Sequence, residues 1–314
     1  MKCAGLIRSF TLRNMLSVRV PKTPLILFLF FLFICSPAPG QLNVNDWTLA
    51  LFSGTINYQG DLKPTSFTFN HSNPAFSLVL RKPLNRWFNW RIGASIGKIE
   101  GADRYNRDYL KTRNLSFFTE LQEIYTGLEI NLLDISTKHF TPYMYGGIGL
   151  FHFNPWTYDN NGEKVYLKPL STEGQGLPEY PKQKLYNLVQ SVLGFGVGAK
   201  YALSSCANIG IEFSQRKTFT DYLDDVSSAY IDQGVLRAAK GDKAVELAWR
   251  GDEVPGGTPY PHDGEQRGTK TEMDWYYFFG LSFEVKLSCL KNIIGGWQSS
   301  HSKLNYSTKC PRFY

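Results

Sequence analysis

The stretch MDWYYFFGLSFEVKL (273–287) decides how this chain is read. Every second residue from Met273 through Trp275, Tyr277, Phe279, Leu281, Phe283 and Val285 to Leu287 is apolar. The residues between them are Asp274, Tyr276, Phe278, Gly280, Ser282, Glu284 and Lys286, mostly polar or small. Side chains alternate across a β-strand, so one face of this strand is greasy along its whole length. Soluble strands are typically about five or six residues long. A tilted strand crosses a bilayer in about nine to eleven.

The same rhythm recurs, with strands expected at 47–59, 73–82, 88–101, 115–132, 141–153, 188–202, 208–218 and 273–287. The connections 83–87, 133–140 and 203–207 are short. The connections 60–72, 102–114, 154–187 and 219–272 are long. Short and long alternate without exception, as in a transmembrane barrel with tight periplasmic turns and long external loops. The expected fold is therefore all-β: an eight-stranded antiparallel transmembrane β-barrel. No apolar stretch of helix length follows the N-terminal region, and only a closed barrel would then satisfy its backbone inside a membrane.

The N-terminus reads as an export signal. Lys2, Arg8, Arg13, Arg19 and Lys22 precede an apolar run, LILFLFFLFI (25–34), and Ala38 and Gly40 supply small residues before Gln41. Starting at Met15 would shorten the basic region. Bulky Leu32, Phe33 and Ile34 before Cys35 argue against a lipoprotein. The expected organisation is a signal peptide at 1–40, a barrel at 41–289 and a periplasmic C-terminal tail at 290–314. Removing the five leader cations from 34 basic residues leaves 29 against 27 acidic, so the formal charge of +7 falls to +2. No nucleic-acid footprint remains.

Alternation assigns the faces. Trp90, Ile92, Ala94 and Ile96 face lipid, as do Ile124, Leu128 and Ile130, Leu193, Phe195 and Val197, and Ile209, Ile211 and Phe213. The lumen then collects Arg81, Arg91, Lys200, Arg216 and Lys286 with Glu123, Glu129, Glu212 and Glu284. Eight strands leave an interior just wide enough for side chains to fill. Unpaired charge there is costly, so a plug of ion pairs is expected rather than a pore. The glycines at 146, 147, 149, 194, 196 and 198 give bulky neighbours room. In the first strand Trp47, Leu49 and Leu51 compete with Ala50, Phe52 and Ile56 for the apolar face, which suggests a bulge. On the final strand, arginine at Leu281 or Phe283 should be tolerated less well than serine at Gly280.

The five histidines, His71, His139, His152, His262 and His301, form no set with serine or carboxylate on neighbouring strands. No catalytic residue, cofactor or metal site is expected, and no small-molecule substrate. The acidic run in TFTDYLDDVSSAY (218–230) lacks the spacing of a calcium loop. A capped helical turn over 222–228 is expected there, beginning at Thr220 or Asp221. The Gly/Pro-rich segment 251–270 reads as mobile.

Six motifs carry a resemblance: NYQGDL (57–62), NLSFFTELQEIYTGLEIN (114–131), TPYMYGGIGLFHFNP (141–155), GQGLPEYP (174–181), RKTFTDYLDDVSSAY (216–230) and KCPRF (309–313). Together they resemble the PorG-like outer-membrane β-barrel family of the type IX secretion system. The resemblance implies a non-enzymatic outer-membrane component surrounded by lipid and docked to periplasmic secretion-ring proteins. The alternatives are an OmpA-like structural barrel with no secretion role and an outer-membrane lipid-modifying enzyme.

Both termini of an even-stranded barrel lie on the periplasmic side. The basic tail would present Lys309, Pro311, Arg312 and Phe313 for docking. Of the three cysteines beyond the leader, Cys289 and Cys310 form the expected bridge, with Cys206–Cys289 as the alternative, since cross-strand bridges demand strict Cα geometry.

Overall fold

A computed structural model describes residues 47–64 and 68–290. The expected leader, and the expected tail beyond residue 290, lie outside the described residues. Eight long strands form the barrel: β1 (Thr48–Gln59), β2 (Asn73–Pro83), β3 (Phe88–Ala102), β4 (Ser116–Asn131), β5 (Phe140–His152), β8 (Val189–Ala202), β9 (Ala207–Thr218) and β10 (Trp275–Lys286). Two short strands, β6 (Trp156–Tyr158) and β7 (Lys164–Tyr166), make a hairpin that pairs with the long-loop end of β4, where Phe118 pairs with Trp156. The order β3-β2-β1-β10-β9-β8-β5-β4 closes through β3–β4, and every pairing is antiparallel. No helix among the described residues is long and apolar enough to cross a membrane.

The wall is greasy outside. Ile124, Ile148 and Leu281 are 60–64 % exposed, and Leu51, Leu78, Ile96, Leu150, Val197 and Phe283 are exposed with them. A contiguous apolar surface of this extent is what lipid, not water, would solvate. Aromatic side chains gather at both ends of the band. Trp47 and Trp90 sit 5.8 Å apart near the short turns, and Phe69–Phe279 (5.4 Å) and Phe195–Trp275 (6.2 Å) lie near the long loops. Such belts suit the two interfaces of a bilayer. Leu281→Arg is expected to cost about 2–4 kcal/mol near the midplane of a bilayer. Unfolding in lipid measures it, and an unchanged midpoint would mean that Leu281 does not face lipid.

The first strand has no bulge. Its pairing to β10 runs without a break from Thr48↔Lys286 to Gln59↔Trp275, and that to β2 is equally regular. Both of its faces are apolar for a different reason. Leu49 and Leu51 face outward, while Phe52, Ile56 and Tyr58 enter a dry core with Leu62, Phe117, Leu121, Phe151 and Phe278 at the long-loop end of the barrel. Gly54 and Gly280 meet across this same pair. A Cβ on Gly280 would lie 2.5 Å from the Gly54 Cα and 2.5 Å from the Ser53 carbonyl oxygen. Serine at Gly280 would therefore strain the seam rather than enter free space.

Of the glycines expected to make room inside, Gly146 is the exception. It faces outward, and a Cβ there would touch nothing within 4 Å. Two others, and Gly93 with them, sit directly opposite inward tyrosines: Gly198↔Tyr143, Gly196↔Tyr145 and Gly93↔Tyr125. An added Cβ would come within 2.4–2.5 Å of the facing ring in each case. Each ring lies over its cross-strand glycine, which is how large side chains fit a narrow lumen.

Candidate functional site

The lumen fills in layers that follow from strand parity. Nearest the short turns, Arg81 donates from Nε to Glu129 Oε2 (2.8 Å) and from Nη1 to Glu284 Oε1 (2.6 Å). Lys200 Nζ and Asn89 Nδ2 also donate to Glu129. One layer up, Arg91 forks onto Glu212 at 3.1 and 3.3 Å and donates to Tyr125 Oη at 2.7 Å. Tyr143 Oη donates to Glu212 at 2.7 Å. Above these, Arg216 Nε donates to Glu123 Oε1 (2.8 Å) and Nη1 to Tyr145 Oη (3.0 Å), and Tyr276 Oη donates to Glu123 Oε2 (2.8 Å).

Four cations therefore meet four carboxylates, all buried, and the plug is neutral. The cavity beside it, among Arg81, Arg91, Ser214 and Ser282, offers about 10 Å³. That is space for roughly one water, not for a solute path.

Lys286 is not part of this network. Its parity points inward, but β10 ends there and its side chain emerges exposed at the rim. Tyr125 was expected to face inward, but Tyr143, Tyr145 and the two asparagines, Asn89 and Asn208, were not among the expected lumen residues. Parity places Tyr125 and Tyr276 inside, yet nothing in a single sequence tells that their hydroxyls complete the hydrogen bonding of buried charges.

At the short-turn end, two neighbouring strand ends are joined covalently. Cys289 is bonded to Cys206, with Cα atoms 6.0 Å apart, so the expected Cys289–Cys310 bridge does not form. Register explains the pairing. Ala207 opposes Val285, the Lys286 amide donates to the Cys206 carbonyl at 2.9 Å, and a helical turn at 287–290 swings Cys289 back beside it. Cys310 lies outside the described residues, as do Lys309, Pro311, Arg312 and Phe313.

The long-loop end carries an ordered cap. Glu173 from the β5–β8 connection accepts from the Ser227 and Ser228 amides (2.8 and 3.0 Å), from Ser228 Oγ (2.6 Å) and from Arg267 Nη1 (3.0 Å). Asp225 accepts from Thr172 Oγ1 (2.6 Å) and Tyr186 Oη (2.7 Å). Two long connections are thereby knitted together. No helix forms over 222–228. Thr220 Oγ1 does accept from the Tyr222 amide at 3.2 Å, but the helices lie further on, at Gln233–Lys240 and Asp242–Ala248. They bury Leu236, Ala244, Val245 and Ala248 against Leu177 and Ile231 as a small second core. The segment 251–270, expected to be mobile, is hydrogen-bonded at its C-terminal half, where Glu265 and Tyr230 and then Arg267 and Ser228 join backbones.

Carboxyl groups crowd beneath this cap. Tyr58 Oη lies 2.7 Å from Asp224 Oδ2 and 2.9 Å from Asp274 Oδ1. A hydroxyl has one proton to give, so the second contact requires a protonated carboxyl. A side chain at Gly60 would come within 2.0 Å of both Tyr58 Oη and Asp274 Oδ1, which accounts for the glycine in NYQGDL. Burial, then Asp61, pushes Asp224 up to about 8; burial, then Asp224, pushes Asp221 up to about 9. Burial also raises Asp274, with Asp224 and Asp221 adding to it. Among the described residues no His, Cys, Asp or Glu group of three or more is arranged to hold a metal ion.

The sign of the pH dependence follows. These carboxyls hold their protons in the folded cap, whereas exposed ones ionise near the ordinary 3.8. Their stabilisation is complete below about 4 and is lost as pH rises through 8 to 9. Loop proteolysis should therefore speed up between pH 6 and 9, and Asp221→Asn should flatten the rise. Equal profiles for the two proteins would rule out this origin.

The chain belongs to the family described as a domain of unknown function, DUF6089, which it matches over residues 23–238. The closing strand β10 lies beyond the matched stretch. No curated protein matches the chain. Among solved structures it is similar to Neisserial surface protein A, at 7 % identity and a TM-score of 0.40, covering 77 % of this chain and 97 % of that one. It is similar to Ail, the attachment invasion locus protein of Yersinia pestis, at 8 % identity and 0.35, covering 76 % and 97 %. A major outer membrane protein from Thermus thermophilus follows at 12 % and 0.35, covering 76 % and 98 %.

Proposed function

We propose that this protein is a non-enzymatic β-barrel of the cell outer membrane that serves the type IX secretion machinery, with its short turns and both termini in the periplasm, where it docks ring proteins. The observation that carries a structural role is the filled, charge-balanced lumen. It gives solutes no route, so what the barrel offers partners is its ends and its lipid-facing wall. The secretion reading rests on the resemblance. Its motifs are the ones that build the plug and the cap: 114–131 brings Glu123 and Glu129, 216–230 brings Arg216, Asp224 and Asp225, and 57–62 brings Tyr58 and Asp61.

Affinity purification of the tagged full chain after mild detergent extraction tests the proposal. Ring proteins should co-purify, and deleting 290–314 should abolish their recovery while the barrel stays folded. A folded barrel that brings down no ring protein would instead be an OmpA-like structural component, and the secretion reading would fall.

A further inference from the structure

The lipid-facing wall carries a groove of about 560 Å³ that climbs from the short-turn rim. Register explains it. Phe140, Tyr201, Ile209 and Phe283 oppose one another across β5, β8, β9 and β10 and form one bank. The next outward row begins at Ala199 and ends on β1 at Ser53, whose small side chains leave the space open. Phe140 opens β5 and Tyr201 nearly ends β8, so that end lies at the rim, whereas Ser53 sits opposite Leu281 partway up the wall. Five strands at a spacing of about 4.8 Å make the groove about 19 Å long. One leaflet's hydrocarbon is roughly 15 Å deep. An acyl chain fits along it from the rim towards the midplane.

The rim at its mouth is positive. Among the described residues the short turns and adjoining strand ends carry Lys82, Arg86, Lys138 and Lys286 against one carboxylate, Asp134. None of these four cations makes an ion pair among the described residues. Lys82 and Arg86 lie over the rings of Trp47 and Trp87, at 5.8 and 5.3 Å, contacts that leave their charge in place. Asp134 accepts from the Ser136 amide at 3.0 Å, as the cap of its own turn. Lys138 is exposed and precedes Phe140 by two residues. The His139 carbonyl between them accepts from the Ala202 amide at 2.7 Å, which ties this turn to the Tyr201 end of β8.

The same turns expose Leu84, Leu133 and Leu203. Water solvates such tips poorly, whereas the boundary between headgroups and acyl chains buries them. That depth sets the neighbouring cations level with lipid phosphates.

We propose that groove and rim together bind an anionic phospholipid, with one acyl chain in the groove and the headgroup phosphate at Lys138. This rests on the reading of the wall as membrane-spanning. A zwitterionic lipid brings its own ammonium and leaves the excess of cations unanswered. Free phosphate has no chain for the groove.

Native mass spectrometry of the full-length barrel in mild detergent, offered equal amounts of phosphatidylglycerol and phosphatidylcholine with the same acyl chains, tests this. Phosphatidylglycerol should be retained about fivefold more, the size expected for one cation beside an anionic headgroup. Lys138→Gln should remove most of that preference, and Lys138→Arg should keep it. Ala199→Phe, which fills the groove from the lipid side, should weaken retention of both lipids and leave their ratio unchanged. Both positions lie outside the lumen, so the plug is untouched. Equal retention by the parent, a preference unaffected by Lys138→Gln, or retention unaffected by Ala199→Phe would each overturn the proposal. An acidic protein seated on the rim instead would leave the parent without a lipid preference. Insertion into phosphatidylcholine vesicles, read by protease protection, checks the membrane reading separately. A barrel that stays outside overturns both; one that inserts yet shows no preference overturns only the lipid site. None of these outcomes depends on whether the barrel serves secretion.

Discussion

Glu129→Ala is expected to destabilise the barrel by about 3–5 kcal/mol, the size found when one partner of a buried charge cluster is removed. Glu129 is fully buried and is shared by Arg81, Arg91 and Lys200, with Asn89 as a fourth donor. Without it, three buried cations in the lower lumen face only Glu212 and Glu284. The excess positive charge stays buried, since Arg81, Arg91 and Lys200 are each less than 5 % exposed. Balance can be restored from the other side. Glu129→Gln combined with Lys200→Met removes one charge of each sign and should recover most of the loss. Denaturant unfolding in detergent micelles or lipid measures both variants. A single variant as stable as the parent would show that Glu129 does not compensate these cations, and a double variant no better than the single would place the loss in packing instead of charge.

Cys206→Ser is expected to cost about 2–5 kcal/mol, as for other native bridges that close long loops. The two cysteines are 83 residues apart in sequence, and the chain between them contains the whole cap-forming β9–β10 connection. In the unfolded chain the bridge holds the two ends of that connection together; without it, their meeting carries the full entropy of closing the loop. Unfolding under reducing and non-reducing conditions should separate the parent but not the variant. Non-reducing peptide maps should recover 206 joined to 289. A peptide joining 289 to 310 would show that the assigned pairing is wrong.

The strands were legible because a barrel wall imposes one rule on every residue: outward apolar, inward small or polar. All eight expected strands agree with the observed ones to within two residues at either end. The same parity puts Arg91, Glu123, Glu129, Lys200, Glu212 and Arg216 inside. It fails at the edges of its domain. Lys286 has inward parity but sits where the wall stops. The apolar inner face of β1 imitated a bulge because its upper half lies in a dry aromatic core instead of among charges. The bridge at Cys206 depends on which strand ends are neighbours and on a helical turn after β10, neither of which alternation encodes. The cap was the least legible part. Glu173, Arg113 and Arg267 come from loops far apart in sequence, and only the closed barrel brings those loops to one mouth.

The Gly54–Gly280 seam bears on the order in which the wall is assembled. Seven of the eight strand pairs join strands that follow one another around the barrel in chain order, while β1–β10 joins its first strand to its last. Loop-closure entropy makes that pair the last to form. Until it does, two edges stand open, and their amide and carbonyl groups have no partner that lipid can provide. The facing glycines put bare backbone against bare backbone midway along this final pair, where a larger side chain would hold the edges apart. The position is thus a test of closure itself: crowding Gly54 should spare the individual hairpins and leave an open, protease-sensitive sheet in place of a sealed cylinder.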